Sequence, residues 1–229
     1  MLSIVPTPIG HLKDITLRAL ETLREADCIV CEDTRRTQTL LTHYEIKKPL
    51  VSFHDHSPKG KENEILARLE TGEKVALVTD SGTPLLSDPG FPLVREVIRR
   101  GLALEVLPGA FAAATALVAS GLPAESFSFL GFLPPKTAAR QNKLRACEAR
   151  EETLIFYESP FRLVKLLQDM LAVLEDREAC VARELTKKFE EVKRGRLSDL
   201  IAYFSAKEVK GEIVVLVAGK GRKSVLNGV

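Results

Sequence analysis

Short apolar runs alternate along the chain with segments whose apolar positions recur every three or four residues. A short apolar run bounded by turn residues reads as a buried strand, and a 3.6-residue period reads as a helix with one buried face. Strands are expected at 2–5, 28–31, 50–53, 75–79 and 104–107, then at 127–132, 153–157, 179–183 and 212–218. One helix is expected after Asp14, a capping residue, with Ile15, Ala19, Leu20 and Leu23 on its apolar face. Others are expected at 61–69, 92–100, 110–119 and 136–149, with Gly72 and Gly101 ending two of them. Ser159 and Pro160 have the character of a helix start, as N-cap and first residue. This alternation predicts an α/β protein in which helices cover sheets. The breaker cluster Ser120-Gly121-Leu122-Pro123 divides it into an N-terminal lobe at 1–119 and a C-terminal lobe at 124–219, followed by a basic tail at 220–229.

Composition changes this picture little. The 229 residues are 45% hydrophobic and 28% charged, as in an ordinary globular protein, with room for one large core or two modest ones. A net charge of +2 does not by itself announce a nucleic-acid partner, since a local basic face matters more than the total. No apolar run is long enough to span a bilayer and no signal peptide precedes the first strand, so no membrane association and a cytoplasmic location are expected. Cys28, Cys31, Cys147 and Cys180 suit a reducing compartment. Cys28 and Cys31 spell CxxC, but positions three apart on a strand point to opposite faces, and no second CxxC completes a metal site. Both are read as core hydrophobes.

The polar residues worth attention follow strands, where open α/β sheets place ligands. Pro6-Thr7-Pro8-Ile9-Gly10 is a stiff turn that keeps bulk away from a ligand, but alone it reads better as an ordinary turn. Thr79-Asp80-Ser81-Gly82-Thr83-Pro84, continuing to Ser87-Asp88-Pro89-Gly90, places carboxylates and small hydrogen-bonding groups after a strand. That suits a cofactor rich in amine and hydroxyl donors, although Asp80 and Asp88 can also cap turns. Leu107-Pro108-Gly109-Ala110-Phe111-Ala112 brings backbone amides close to whatever lies above the sheet, or serves close helix–sheet packing.

Taken in order, PTPIG, EDTRRT at 32–37, TDSGTPLLSDPG at 79–90, LPGAFAA, FYESPFR at 156–162 and ARELTKKFEE at 182–191 closely resemble the ribosomal RNA small subunit methyltransferase I family of the tetrapyrrole methylase superfamily. The resemblance covers roughly residues 2 to 219. It implies two α/β lobes with S-adenosylmethionine in the cleft between them, a homodimer, and 2′-O-methylation of a cytidine ribose in small-subunit (16S) ribosomal RNA, with that RNA or the 30S subunit as partner. It also implies cofactor contacts from Ile9, Ser81, Gly82, Thr83, Leu86, Phe111, Ala112, Glu158 and Leu185, and Asp80 belongs to the same loop. Tetrapyrrole-modifying relatives carry a glycine-rich first loop and a Gly-Asp-Pro second loop. Pro6–Gly10 and Ser81–Pro84 depart from both, which favours the RNA branch over a tetrapyrrole or protein side-chain methylase. A non-catalytic RNA-binding module is the reading from another class, and the intact TDSGTP block argues against it. Longer family members carry a helical domain after the lobes, and substrate contacts made by it are expected to be absent here.

Methyl transfer to a hydroxyl needs in-line placement and a destination for the proton. Glu184, Lys187 and Glu158 follow second-lobe strands and are the candidate catalytic groups, Lys187 on condition that burial lowers its pKa. An ion-pair network is the alternative for all three. Arg35, Arg36, Arg162, Lys188 and Arg194 are candidate RNA contacts, as are Lys136, Arg140, Lys143, Lys193 and Arg196, although lysine and arginine often serve solubility alone. His54-Asp55-His56 has the alternation of a metal pair, but with no further ligand spacing it is read as RNA contact or surface, and no metal is expected. Gly219-Lys220-Gly221-Arg222-Lys223-Ser224 lacks the spacing of a phosphate loop.

Overall fold

The computed structural model describes residues 1–54 and 59–221. They form two compact units, divided between Phe111 and Ala112, each with its own five-stranded sheet.

In the first unit β1 (Leu2–Ile4), β2 (Cys28–Cys31), β3 (Leu50–Ser52), β4 (Val75–Leu77) and β5 (Leu104–Val106) run parallel in the order β3-β2-β4-β1-β5. Parallel neighbours need long crossovers, which α1 (Leu17–Glu25), α2 (Thr34–His43), α3 (Lys59–Glu70) and α4 (Phe91–Arg99) help to supply. The central strands β1, β2 and β4 are buried on both faces. Cys28 and Val30 pack with Ile65, Leu66, Leu93 and Val97 on one face, while Ile29 and Cys31 pack with Ala19, Leu23 and Leu41 on the other. The two cysteines are therefore core residues on opposite faces, as strand geometry requires. The first helix begins later than expected. Thr16 is its N-cap, accepting the Ala19 N–H at 3.0 Å, because Asp14 is occupied in a 3₁₀ turn at Leu12–Asp14.

In the second unit β6 (Phe127–Phe132), β7 (Thr153–Glu158), β8 (Glu178–Arg183), β9 (Glu191–Arg196) and β10 (Ile213–Val217) are ordered β6-β7-β10-β8-β9. β6 is parallel to β7, and β10 is antiparallel to both β7 and β8. β6, β7 and β8 consequently share a direction and end at one edge. Leucines of α7 (Leu163–Leu174) and Leu197, Leu200 and Phe204 of α8 (Leu197–Ser205) fill one face of this sheet. The boundary falls before the small-residue helix α5 (Ala112–Ser120), not after residue 119. That helix packs on β8 and β10, burying Ala113, Ala116 and Leu117, because small side chains let it lie close to the second sheet. Helix α7 also starts late, at Leu163, because the Glu158 carboxylate accepts the Ser159 N–H at 2.7 Å and holds 159–162 as a turn.

Arg140, in α6 (Thr137–Arg145), is completely buried. Its Nε donates to Asp169 Oδ2 at 2.6 Å, and its Nη1 reaches the Pro135 carbonyl at 3.0 Å. It is a structural ion pair of the core and has no face left for phosphate. Arg194 is likewise engaged, its Nε donating to the carbonyls of Ala119 at 3.1 Å and Ser120 at 3.2 Å, the last residues of α5. A guanidinium there offsets the unsatisfied carbonyls of a helix end, so its expected RNA role gives way to a cap.

Candidate active site

Because β1, β2, β4 and β5 are parallel, the loops that follow them emerge at one edge of the first sheet. Backbone hydrogen bonds join two of these loops, from Thr7 N–H to the Gly82 carbonyl at 2.9 Å and from Gly82 N–H to the Thr7 carbonyl at 3.1 Å. The Thr7 hydroxyl donates to the Thr79 carbonyl at 3.1 Å, and the Thr83 hydroxyl to the Ala110 carbonyl at 2.8 Å. Gly82 has φ +87°, and a Cβ on it would meet Ile9 Cγ2 at 3.4 Å, so Ile9 packs directly on glycine backbone. The expected residues Ile9, Asp80, Ser81, Gly82, Thr83 and Leu86 thus belong to one interlocked set of loops, and Phe111 ends the unit.

Beside these loops lies a cavity of about 640 Å³ lined by Asp33, Arg35, His54, Asp80, Ser87 and Asp88, among others. Asp80 Oδ1 accepts the Asp33 N–H at 3.2 Å, and its Oδ2 lies 3.4 Å from Arg36 Nη1. Asp33 N-caps α2, and hydrogen bonds from the Arg35 side chain and backbone hold its carboxyl down to about 2. Arg35 and Arg36 remain largely exposed despite these pairs. His54 lines the cavity, whereas Asp55 and His56 lie outside the described residues. Among the described residues no histidine, cysteine or carboxylate group is arranged to hold a metal.

The second unit contributes an edge of its own, where β7 and β8 end. The Glu158 side chain is fully buried. Its Oε1 accepts from Arg162 Nε and from the Ser159 N–H, both at 2.7 Å, while Oε2 has no hydrogen-bond partner among the described residues. An orphaned buried carboxylate oxygen is costly unless a ligand donates to it.

At the end of β8, Glu184 and Thr186 adopt left-handed backbone, φ +52° and +63°, on either side of buried Leu185. Leu85 and Ser87 do the same in the first unit, at φ +71° and +74°. Such conformations cost a non-glycine residue about 1–3 kcal/mol and persist only where the surrounding structure holds them. Around Glu184, Oε1 accepts from Lys187 Nζ at 3.0 Å and from the Glu212 N–H at 2.9 Å, and Lys187 also pairs with Glu212 at 3.0 Å. Burial alone would raise the Glu184 carboxyl, yet these donors bring it below its ordinary value. Burial would likewise lower Lys187, but its two carboxylate partners raise it instead. The condition for Lys187 to act as a base is not met.

Glu191, at the start of β9, closes a further network with Arg183, Lys207 and Tyr203. Burial pushes its carboxyl up, but hydrogen bonds from Lys207, Tyr203 and Arg183 prevail and bring it from 4.5 to about 2. A depressed carboxylate stabilises the fold above its unfolded pKa and loses that contribution as pH falls through the folded one. Glu191→Gln is therefore expected to lower the melting temperature at neutral pH and to flatten its fall between pH 4.5 and about 2. Parallel melting curves of wild type and variant across that range would contradict the assignment.

The family profile of tetrapyrrole (corrin/porphyrin) methylases matches residues 1–201. A ribosomal RNA small subunit methyltransferase I of Thermotoga maritima is 47% identical over 219 residues, 96% of this chain and 98% of that protein. The protein of the same name from Halalkalibacterium halodurans is 47% identical over 222 residues, 97% of this chain and 77% of its own length. The chain belongs to that family.

Solved structures agree at the level of the fold. A diphthine synthase superposes with TM-score 0.73 at 18% identity, covering 96% of this chain and 90% of that one. A uroporphyrin-III C-methyltransferase from Thermus thermophilus, complexed with S-adenosylhomocysteine, gives 0.66 at 18% identity, covering 96% and 97%. As a member of this methyltransferase family the protein takes S-adenosylmethionine as methyl donor. In the first unit the joined loops are built of small residues packed on glycine backbone, and in the second unit Glu158 Oε2 is a buried acceptor with no donor among the described residues, features compatible with that cofactor. Ala112, Glu158 and Leu185 belong to the second unit, with Ala112 opening α5 and the other two at the ends of β7 and β8. No helix among the described residues is long and apolar enough to cross a membrane.

Proposed function

We propose that the protein transfers the methyl group of S-adenosylmethionine to the 2′-hydroxyl of a cytidine ribose in small-subunit ribosomal RNA. The observation that carries this reading is 47% identity across nearly the whole chain to relatives named for that RNA. Bound cofactor supplies an electrophilic methyl on sulfur, and the protein's task is placement and proton handling. Ile9, Ser81, Gly82, Thr83, Leu86, Phe111 and Ala112 line its path, and Asp80 is tied to Asp33 and Arg36 beside it. In the second unit Glu158 offers Oε2 to a donor on cofactor or ribose, and Arg162 compensates its charge. Arg35, Arg36 and Lys188 are the exposed cations of the proposed RNA contact. Incubation with 30S subunits and methyl-labelled cofactor, followed by nuclease digestion, is expected to yield labelled 2′-O-methylcytidine. Label on a base, on protein or nowhere would sink the reading. It also carries a cytoplasmic location and a homodimer, the latter measurable by sedimentation.

Within this reading Glu184 and Lys187 hold a loop and do not move a proton, since Lys187 is kept protonated and donors from Lys187 and Glu212 make the Glu184 carboxylate a weaker base. Glu184→Gln and Lys187→Met are expected to lower melting temperature and cofactor affinity while kcat at saturation stays near wild type. A fall in kcat of about 10²–10⁴-fold, the usual cost of losing a general base, would restore the proton-transfer role.

A further inference from the structure

Two phenylalanines of the second unit contribute almost nothing to its core. Phe161 is 95% exposed and Phe189 66%, whereas Phe156 and Phe204 are buried. Phe161 follows β7 and Phe189 follows β8, so both stand at the edge where those parallel strands end. Cations are interleaved with them. Arg162 adjoins Phe161, and the Lys188 ammonium lies 5.7 Å from the centre of the Phe189 ring. Phe132 and Lys136, both exposed, mark the same edge at the end of β6.

Exposed rings among cations match single-stranded nucleic acid, whose bases stack on aromatic faces while phosphates meet positive charge. β7 and β8 are separated only by β10, which places their axes about 9–10 Å apart. That exceeds the rise of about 3.4 Å between stacked nucleotides. Strand ends so spaced suit two splayed bases better than a continuous stack.

We propose that Phe161 and Phe189 are stacking platforms for two unpaired bases near the methylated nucleotide, with Lys188 and Lys136 meeting neighbouring phosphates. The inference rests on the RNA reading above and narrows it to a single-stranded segment opened at this edge.

The test uses the full chain and a fluorescein-labelled, unstructured, cytidine-containing RNA oligonucleotide, read by anisotropy, alongside methyl transfer to 30S subunits. Phe161→Leu and Phe189→Leu keep apolar bulk but remove the ring. Each is expected to weaken oligonucleotide binding by roughly 5- to 150-fold, the range for losing one base stack. Phe161→Tyr and Phe189→Tyr should stay within about threefold of wild type, since the π-face that every base stacks on is kept. The salt dependence should be unchanged in the phenylalanine variants and shallower by about one ion in Lys188→Gln. Wild-type affinity in both leucine variants, while the wild type still methylates 30S subunits, would overturn the platform and leave the function standing. Conversion of a dimer to a monomer by the leucine variants, seen by sedimentation, would assign the rings to self-association and overturn it too. Absence of methyl transfer to RNA by the wild type would remove the reading beneath it.

Discussion

Replacing Arg140 with methionine is expected to destabilise the second unit by about 3–5 kcal/mol, the cost of leaving one partner of a buried ion pair uncompensated. Asp169 would keep one hydrogen bond, from Gln141 Nε2 at 2.8 Å, and lose the guanidinium that neutralises it. The Pro134 and Pro135 carbonyls would also lose their donor. The double variant Arg140→Met with Asp169→Leu should recover most of the loss, because an intact buried pair is worth little more than well-packed apolar side chains. Denaturant midpoints of the three proteins measure this directly. A single variant within about 1 kcal/mol of wild type would mean that water already reaches the pair.

The second large effect is expected at Gly109. A Cβ built there lies 2.3 Å from Pro6 Cβ and 2.7 Å from its Cγ. Pro6 is a rigid ring buried at the end of β1, so it cannot swing aside as a long flexible chain would. Gly109→Ala must therefore push apart the loops that follow β1 and β5, costing about 1–3 kcal/mol in overpacking. The displaced first loop also carries Thr7 and Ile9, which join and pack on Gly82. Affinity for S-adenosylmethionine, measured by calorimetry, should fall at least tenfold, a loss of about 1.4 kcal/mol. Unchanged affinity in a folded variant would place the cofactor away from this edge.

The strands were legible because buried strands advertise themselves as short apolar runs, and Cys28–Cys31 is a clear instance. Three elements were not. α2 spells TRRTQTLLTH and buries only Thr37 and Leu41, too little apolar surface for a helical stripe to stand out. β9, EVKRGR, lies at the sheet edge and alternates without apolar residues beyond Val192, so its charges masked a strand. α8 follows it without an intervening loop.

The loops of the site were visible through glycine, proline and aspartate, yet their shape was not. Leu85, Ser87, Glu184 and Thr186 take left-handed backbone that their side chains do nothing to announce. Arginine was the least readable residue of all. The same fork of donors serves phosphate, a buried carboxylate or a helix end, and only packing sends Arg140 to Asp169 and Arg194 to α5. The ion pairing of Glu184 with Lys187 lies within the motif and is legible there, whereas Glu212 and Lys207, which complete the two networks, come from beyond it.

The four sequestered cysteines also give the molecule a built-in clock for its own breathing. All are buried, two in each unit, and burial raises the Cys28 and Cys31 thiols and pushes Cys180 up to about 11. Thiolate is the reactive form, so a disulfide reagent can modify these groups only during excursions that expose them. Labelling resolved by peptide mass would then read the opening of the two units separately. Cofactor, if it is gripped by the loops of the first unit, should slow Cys28 and Cys31 by the factor that its binding energy dictates.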